Sequence, residues 1–180
     1  EKHQPEKESV RDAALQLMKS EQYDSAVAFI QTALRKNGPQ PWMYEAMALA
    51  MQAGGHPKED VERAVLSAAD FCESPAELLF LGVYMSQLGL DQRALSIYRQ
   101  VSQMLPTSPE PYLHGLRLAQ RIDDEAGIQW ATIGILSQAW PSERQEVWLS
   151  GLHSAKAMLT RLKDENRLEE AEAYEAALDE

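Results

Sequence analysis

The side chains that could do chemistry in this chain are few and scattered. Its four histidines are His3, His56, His114 and His153. No two stand one helical turn apart, and no cysteine pair completes a zinc set around them. Cys72 is the one cysteine. It can neither close an internal disulfide nor hold a metal alone, and it is expected to be a small buried apolar residue near a helix end. Asp123-Asp124-Glu125 could act as paired carboxylates, but at a helix start capping and dipole stabilisation account for them better. Gly54-Gly55 is isolated, so no phosphate-cradling loop is present. Gly151-Leu152-His153-Ser154 lacks the glycine spacing of a nucleophile elbow. Trp130, Trp140 and Trp148 fall where helices pack or turn and are expected in the core, while His56 in its Gly-Gly-His-Pro turn is expected in solvent. The chain is therefore read as no enzyme, with no cofactor and no metal.

The elements that position these residues are clearest between Pro75 and Pro106. Ser74-Pro75-Ala76-Glu77 is a helix start, with Ser74 as N-cap and Glu77 reaching back in a capping box. Leu78, Leu81, Gly82 and Met85 recur at helical spacing. Gly89 supplies a left-handed turn, Asp91 can cap the next helix, and Ala94, Tyr98 and Val101 share one face before Pro106 ends it. Gly82 and Ala94 are small and are expected to meet where the two helices approach closest.

The pattern Leu78-x2-Leu81-Gly82-x2-Met85, then Ala94-x3-Tyr98-x2-Val101-x4-Pro106, resembles the tetratricopeptide repeat, whose period is about 34 residues. Stepping by that period from Pro75 reaches Pro41 and Lys7 in one direction and Pro109 in the other. A first copy reads Val10-x2-Ala13-Ala14-x2-Leu17, then Ala26-x3-Ile30-x2-Ala33. A second reads Tyr44-x2-Met47-Ala48-x2-Met51, then Val61-x3-Val65-x2-Ala68, its second helix displaced by one residue at the turn Gly54-Gly55-His56-Pro57. A fourth, marked by Gly115 and Gly127, is blurred. The resemblance implies an all-α fold, a right-handed superhelix of antiparallel helix pairs forming an α-solenoid. The expected organisation is a loose tail over 1–6, helix pairs over 7–40, 41–74, 75–108 and 109–140, and a capping pair over 141–180. That last pair has a lengthened first helix, started by a Ser142/Gln145 capping box.

Composition narrows the function. Hydrophobic residues make up 44% of 180 residues, enough for a sizeable core. Strand signals are absent. A formal charge of −11 and a pI near 4.8 argue against a nucleic-acid partner, which would call for a basic face. The longest apolar run, Leu78–Met85, is too short to span a bilayer, so no membrane insertion is expected. The expectation is a soluble chain, with the cytoplasm favoured, or an excised segment of a longer or exported protein, since it opens at Glu1.

In the family that this chain resembles, the first helices of successive pairs line a concave surface. Stepping by the repeat period sets out the stripes Leu15, Leu49, Val83, Arg117 and Arg11, Glu45, Leu79, Leu113, with Trp42 in a third. Large apolar residues mixed with charges suggest a partner rather than a plain solvated face. The candidate groove is Arg11, Leu15, Trp42, Leu49, Leu79, Val83, Leu113 and Arg117. The family's clamp for C-terminal carboxylates is not carried over, because the matching positions hold Leu15, Ala46 and Leu49. The expected function is an interaction scaffold that holds a protein or peptide segment with acidic flanks. The alternative is a structural spacer or oligomerisation segment of a larger multidomain protein, its groove covered internally, with a homo-oligomer among the expected assemblies.

Overall fold

A computed structural model describes the chain from Gln4 to Asp179, with side chains from Ser9 onward. The described residues form ten α-helices and no strand: α1 (Gln4–Lys19), α2 (Tyr23–Asn37), α3 (Pro41–Ala53), α4 (Lys58–Ala69), α5 (Pro75–Gln87), α6 (Asp91–Met104), α7 (Glu110–Arg121), α8 (Glu125–Leu136), α9 (Gln145–Asp164) and α10 (Leu168–Asp179). Helix α1 begins inside the stretch expected as a tail. Pro5 is tolerated there because a first-turn residue has no intrahelical N–H bond to lose. Glu1–His3 lie outside the described residues.

One turn closes every pair, and it recurs at a fixed spacing through the first four. Glu21, Gly55, Gly89 and Asp123 all have positive φ, between 54° and 74°, and each stands one repeat length from the next. At each, the following N–H donates back across the helix end: Gln22 to the Leu17 carbonyl, His56 to Met51, Leu90 to Met85 and Asp124 to Ala119, all at 2.9 Å. A second bond runs from the positive-φ residue itself, as from Glu21 to Met18 at 3.0 Å. This double bond is the Schellman C-cap, which satisfies the last helical carbonyls and reverses the chain. Asn166 (φ 59°) repeats it after α9, with Arg167 donating to the Leu162 carbonyl at 2.8 Å. The last turn comes late because α9 runs for 20 residues, longer than the other helices.

Helix starts follow the expected chemistry in some places and depart from it in others. Ser74 Oγ accepts from the Glu77 N–H at 3.2 Å, while Glu77 accepts from the N–H groups of Ser74 and Glu73. The Ser142/Gln145 box does not form. Ser142–Arg144 is a 3-10 turn, and no side chain caps α9. Asp91 does not cap α6. Its carboxylate instead accepts from Arg121 at 2.6 Å.

Contacts divide the chain into two compact units, one up to Glu77 and one from Leu78 onward. In the first, α1 packs on α2, α2 on α3 and α3 on α4, around Ala14, Ala26, Ile30, Met43, Ala48 and Val65. In the second, each helix from α6 to α10 packs on the next, and α10 also touches α8. The core residues expected on α5 and α6, including Leu81, Met85, Ala94, Tyr98 and Val101, are all buried. Gly82, however, receives the ring of Tyr98 and the methyl of Ile97, where Ala94 was expected.

The blurred fourth copy has its own solution. A Cβ at Gly115 would overlap the Trp130 ring, and one at Gly134 would overlap the Tyr112 ring. Helices α7 and α8 thus lock by two reciprocal ring-on-glycine contacts, with the two rings 5.7 Å apart. Trp140 anchors the following corner, its indole N–H donating to the Ile135 carbonyl at 2.7 Å. Trp148 departs from the expected core position: it is 41% exposed on α9.

Candidate functional site

The eight candidate groove residues are shared between the two units. In the first, Leu15 on α1 and Leu49 on α3 are 43% and 42% exposed, on helices that contact each other. Trp42 is half-buried, and its indole N–H donates to Gln40 Oε1 at 2.9 Å. Arg11 is exposed and lies within electrostatic reach of Glu45. Burial raises the Glu45 carboxyl above its ordinary range. Arg11 pulls against that shift, while the charge of Glu77 adds to it. Arg11 therefore already faces a carboxylate of its own unit.

In the second unit, Leu79 and Val83 are half-buried on α5. Leu113 and Arg117 meet in a cleft of about 340 Å³ between α7 and α9, which Leu79 and Val83 do not line. Its apolar surface comes from Leu113, Leu116 and Ala157, and its polar rim from Arg117, Gln120, Ser150 and His153. Ser154 closes it from behind, its hydroxyl sharing a buried 2.8 Å hydrogen bond with Thr132. Arg117 makes no ion pair among the described residues. It stands near His114, which stacks on Tyr98 at 5.7 Å. Burial holds the imidazole below its ordinary pKa, Arg117 lowers it further, and Glu110 opposes the shift. A charge on His114 is thus disfavoured, and Arg117 is the permanent cation of the cleft.

Sequence reasoning missed the α9 wall. The repeat spacing from Arg117 leads to Gly151, which is buried against Ile135. The wall consists of Ser150, His153, Ser154 and Ala157, a helical face of α9 itself. That periodicity was present in the sequence, but the long helix takes it out of the 34-residue register.

The other chemistry-bearing residues have structural roles. Cys72 is half-buried past the end of α4, its thiol donating to the Ala68 carbonyl at 3.4 Å. Burial pushes the thiol up to about 11, with Glu77 and Glu45 adding to the shift, so the nucleophilic thiolate is disfavoured. His56 is not free in solvent: its Nε2 lies 2.9 Å from Asp24 Oδ1. Asp124 caps α8 by accepting from the Gly127 N–H at 2.8 Å.

Asp123 and Glu125 belong to a charged network that fastens the last helix pair. Arg167 donates to Glu170 at 2.6 and 2.7 Å, to Glu125 at 2.7 and 3.2 Å, and to Glu165 at 2.9 Å. Arg161 adds hydrogen bonds to Asp123 at 3.0 Å and Glu165 at 3.1 Å, and an ion pair with Glu125 at 2.9 Å. These bonds hold the carboxyls of Glu125, Glu165 and Glu170 below their ordinary range.

Among the described residues no His, Cys, Asp and Glu group is placed to hold a metal ion, and no helix is long and apolar enough to cross a membrane. No protein-family model and no curated protein matches this chain.

Proposed function

We propose that this chain is an interaction module of the tetratricopeptide kind, and that the cleft between α7 and α9 holds an acidic, partly apolar segment of a protein partner. The observation that carries the proposal is the pairing of an unneutralised Arg117 with Leu113 and Leu116 in one cleft, in a chain of net charge −11. Arginine is suited to a carboxylate because its planar fork donates two parallel hydrogen bonds. The leucines supply the desolvated contact in which binding energy concentrates. The Schellman turns at the repeat spacing support the family reading.

The test is selection from a displayed random-peptide library, followed by affinity measurement on the enriched sequences. Enriched peptides pair Asp or Glu with a large apolar residue. Their affinity falls at least tenfold in Arg117→Glu and stays unchanged in Arg63→Glu, an exposed site on α4. Peptides without acidic enrichment, or binding indifferent to Arg117→Glu, overturn the reading.

The alternative, a segment that self-associates or packs on a further domain, is favoured by a different observation. Phe80, Met104, Leu105, Trp148 and Leu168 are large apolar side chains exposed outside the cleft. Sedimentation of the intact chain across a concentration series separates the two: a stable dimer dissociated by Phe80→Ser supports the second reading.

A further inference from the structure

The α7–α9 cleft changes charge along its length. Tyr112, Gly115 and Ala119 of α7 meet Gly134, Trp130 and Gly127 of α8, so those two helices are antiparallel. Gly151 and Ser154 of α9 meet Ile135 and Thr132 of α8, again antiparallel. Helices α7 and α9 therefore run in the same direction with their starts together, and the Arg144–Glu110 ion pair at 3.0 Å joins those starts.

Toward the helix ends the free charge is positive. Arg117 makes no ion pair among the described residues, whereas Arg121, one turn further, is committed to Asp91 at 2.6 Å. Toward the helix starts the free charge is negative. Glu146 is exposed and lies one turn before Ser150, whose hydroxyl donates to the Glu146 carbonyl at 2.9 Å. Residues four apart are neighbours on a helix surface, so Glu146 continues the face of Ser150 and His153 past the edge of the cleft. Its carboxylate makes no ion pair among the described residues, and Arg144, the cation nearest in sequence, is held by Glu110.

We propose that the segment bound in this cleft carries a Lys or Arg as well as its acidic residue, and that Glu146 selects it. The acidic side chain lies at Arg117, the apolar one against Leu113 and Leu116, and the basic one at Glu146. This inference rests on the function proposed above and adds a second charge to its partner. Helix rise and ordinary interaxial spacing set Glu146 and Arg117 roughly 10–13 Å apart. An extended chain covers that span in about three or four residues. Arg117 alone would accept a segment that is acidic throughout; Glu146 rejects it by like-charge repulsion. A carboxylate in the first turn of α9 also gains from the helix dipole, but that gain does not depend on which peptide is bound.

The test reads the displayed peptide library at a second position and then exchanges charges. Enriched peptides carry Lys or Arg three or four residues from the Asp or Glu. Replacing that basic residue by Glu weakens binding to the wild-type chain about fivefold, the upper scale of one exposed ion pair. Glu146→Lys restores the binding of the replaced peptide, and Glu146→Gln makes the two peptides bind alike. Two results overturn the inference: no basic enrichment at that spacing, or the same loss on peptide replacement in the wild-type and Glu146→Lys chains. If either occurs while binding still falls in Arg117→Glu, the function proposed above stands and only the role of Glu146 is lost. Binding that is absent, or indifferent to Arg117→Glu, overturns both.

Discussion

Helix pairs α7–α8 and α9–α10 turn in the same way and are fastened in opposite ways. Both reverse through a positive-φ residue with the same two backbone bonds, at Asp123 and at Asn166. In the first pair, two aromatic rings sit on two glycines, and the one charge against them is the Arg99 guanidinium, 5.5 Å from the centre of the Trp130 ring. In the second, α10 buries only Ala171 and Tyr174, and eight charged groups, the Lys163–Glu175 pair among them, tie it to its neighbours. Close packing responds to volume and is nearly indifferent to solvent conditions. A guanidinium hub tolerates volume changes and responds to pH and salt. The turn alone therefore does not decide how firmly a pair is closed.

The largest expected effect comes from volume in the locked pair. Gly134→Leu forces a side chain into the space of the buried Tyr112 ring and should cost about 3 kcal/mol, the upper end for overpacking. Its cost outweighs the roughly 1 kcal/mol by which replacing glycine favours a helix. Ala176→Leu on the exposed side of α10 should stay within about 0.5 kcal/mol. Urea denaturation of both variants checks the contrast, and equal midpoints would break it.

The next effects come from charge. Arg167→Ala removes five hydrogen bonds at once and should speed hydrogen exchange in α10, while α7 and α8 keep wild-type protection. Acid should do the same without mutation. The carboxyls of Glu125, Glu165 and Glu170 are depressed in the folded chain, below the roughly 4.3 of an unfolded glutamate. Their contribution is then complete above that value and is lost as the pH falls through the lowered ones. Protection factors in α10, referred to the intrinsic exchange rate at each pH, should fall on acidification before those in α7–α8. Simultaneous loss of protection in both pairs would show that the hub does not govern α10.

The sequence makes the first kind of fastening legible and hides the second. Leu81, Gly82, Ala94 and Tyr98 carry helical spacing, small size and large size in their identities, so burial on α5 and α6 can be read from the chain. Gly55 and Gly89 mark their turns for the same reason: glycine reaches positive φ without steric cost. Asp123 and Asn166 carry a weaker mark, since their short polar side chains tolerate that conformation, and Glu21 holds it with none. The hub joins residues about 40 positions apart, where periodicity carries no information and an acidic run reads as solvated surface. The α9 wall of the cleft was hidden by length: a helix that departs from the repeat carries its inner face out of register.

The smallest effect belongs to a side-chain hydrogen bond without a network. His56 and Asp24 approach to 2.9 Å across the first unit, but the Asp24 side chain is 90% exposed. Water competes fully for such a carboxylate, and exposed pairs of this kind contribute about 0–1 kcal/mol. Asp24 also lies in the first turn of α2, where a negative charge gains from the helix dipole, again screened at the surface. Asp24→Asn keeps an acceptor oxygen and removes the charge, so both contributions shrink together. The expected loss is about 0.5 kcal/mol or less, and it should disappear in molar salt, where the Debye length falls to about 3 Å. Arg167→Ala provides the matched comparison, since it removes one charge that five bonds share. If Asp24→Asn accelerates exchange in α2 as strongly as Arg167→Ala does in α10, then convergence of charges on one guanidinium is not what fastens the last pair, and the contrast between the two kinds of closure fails.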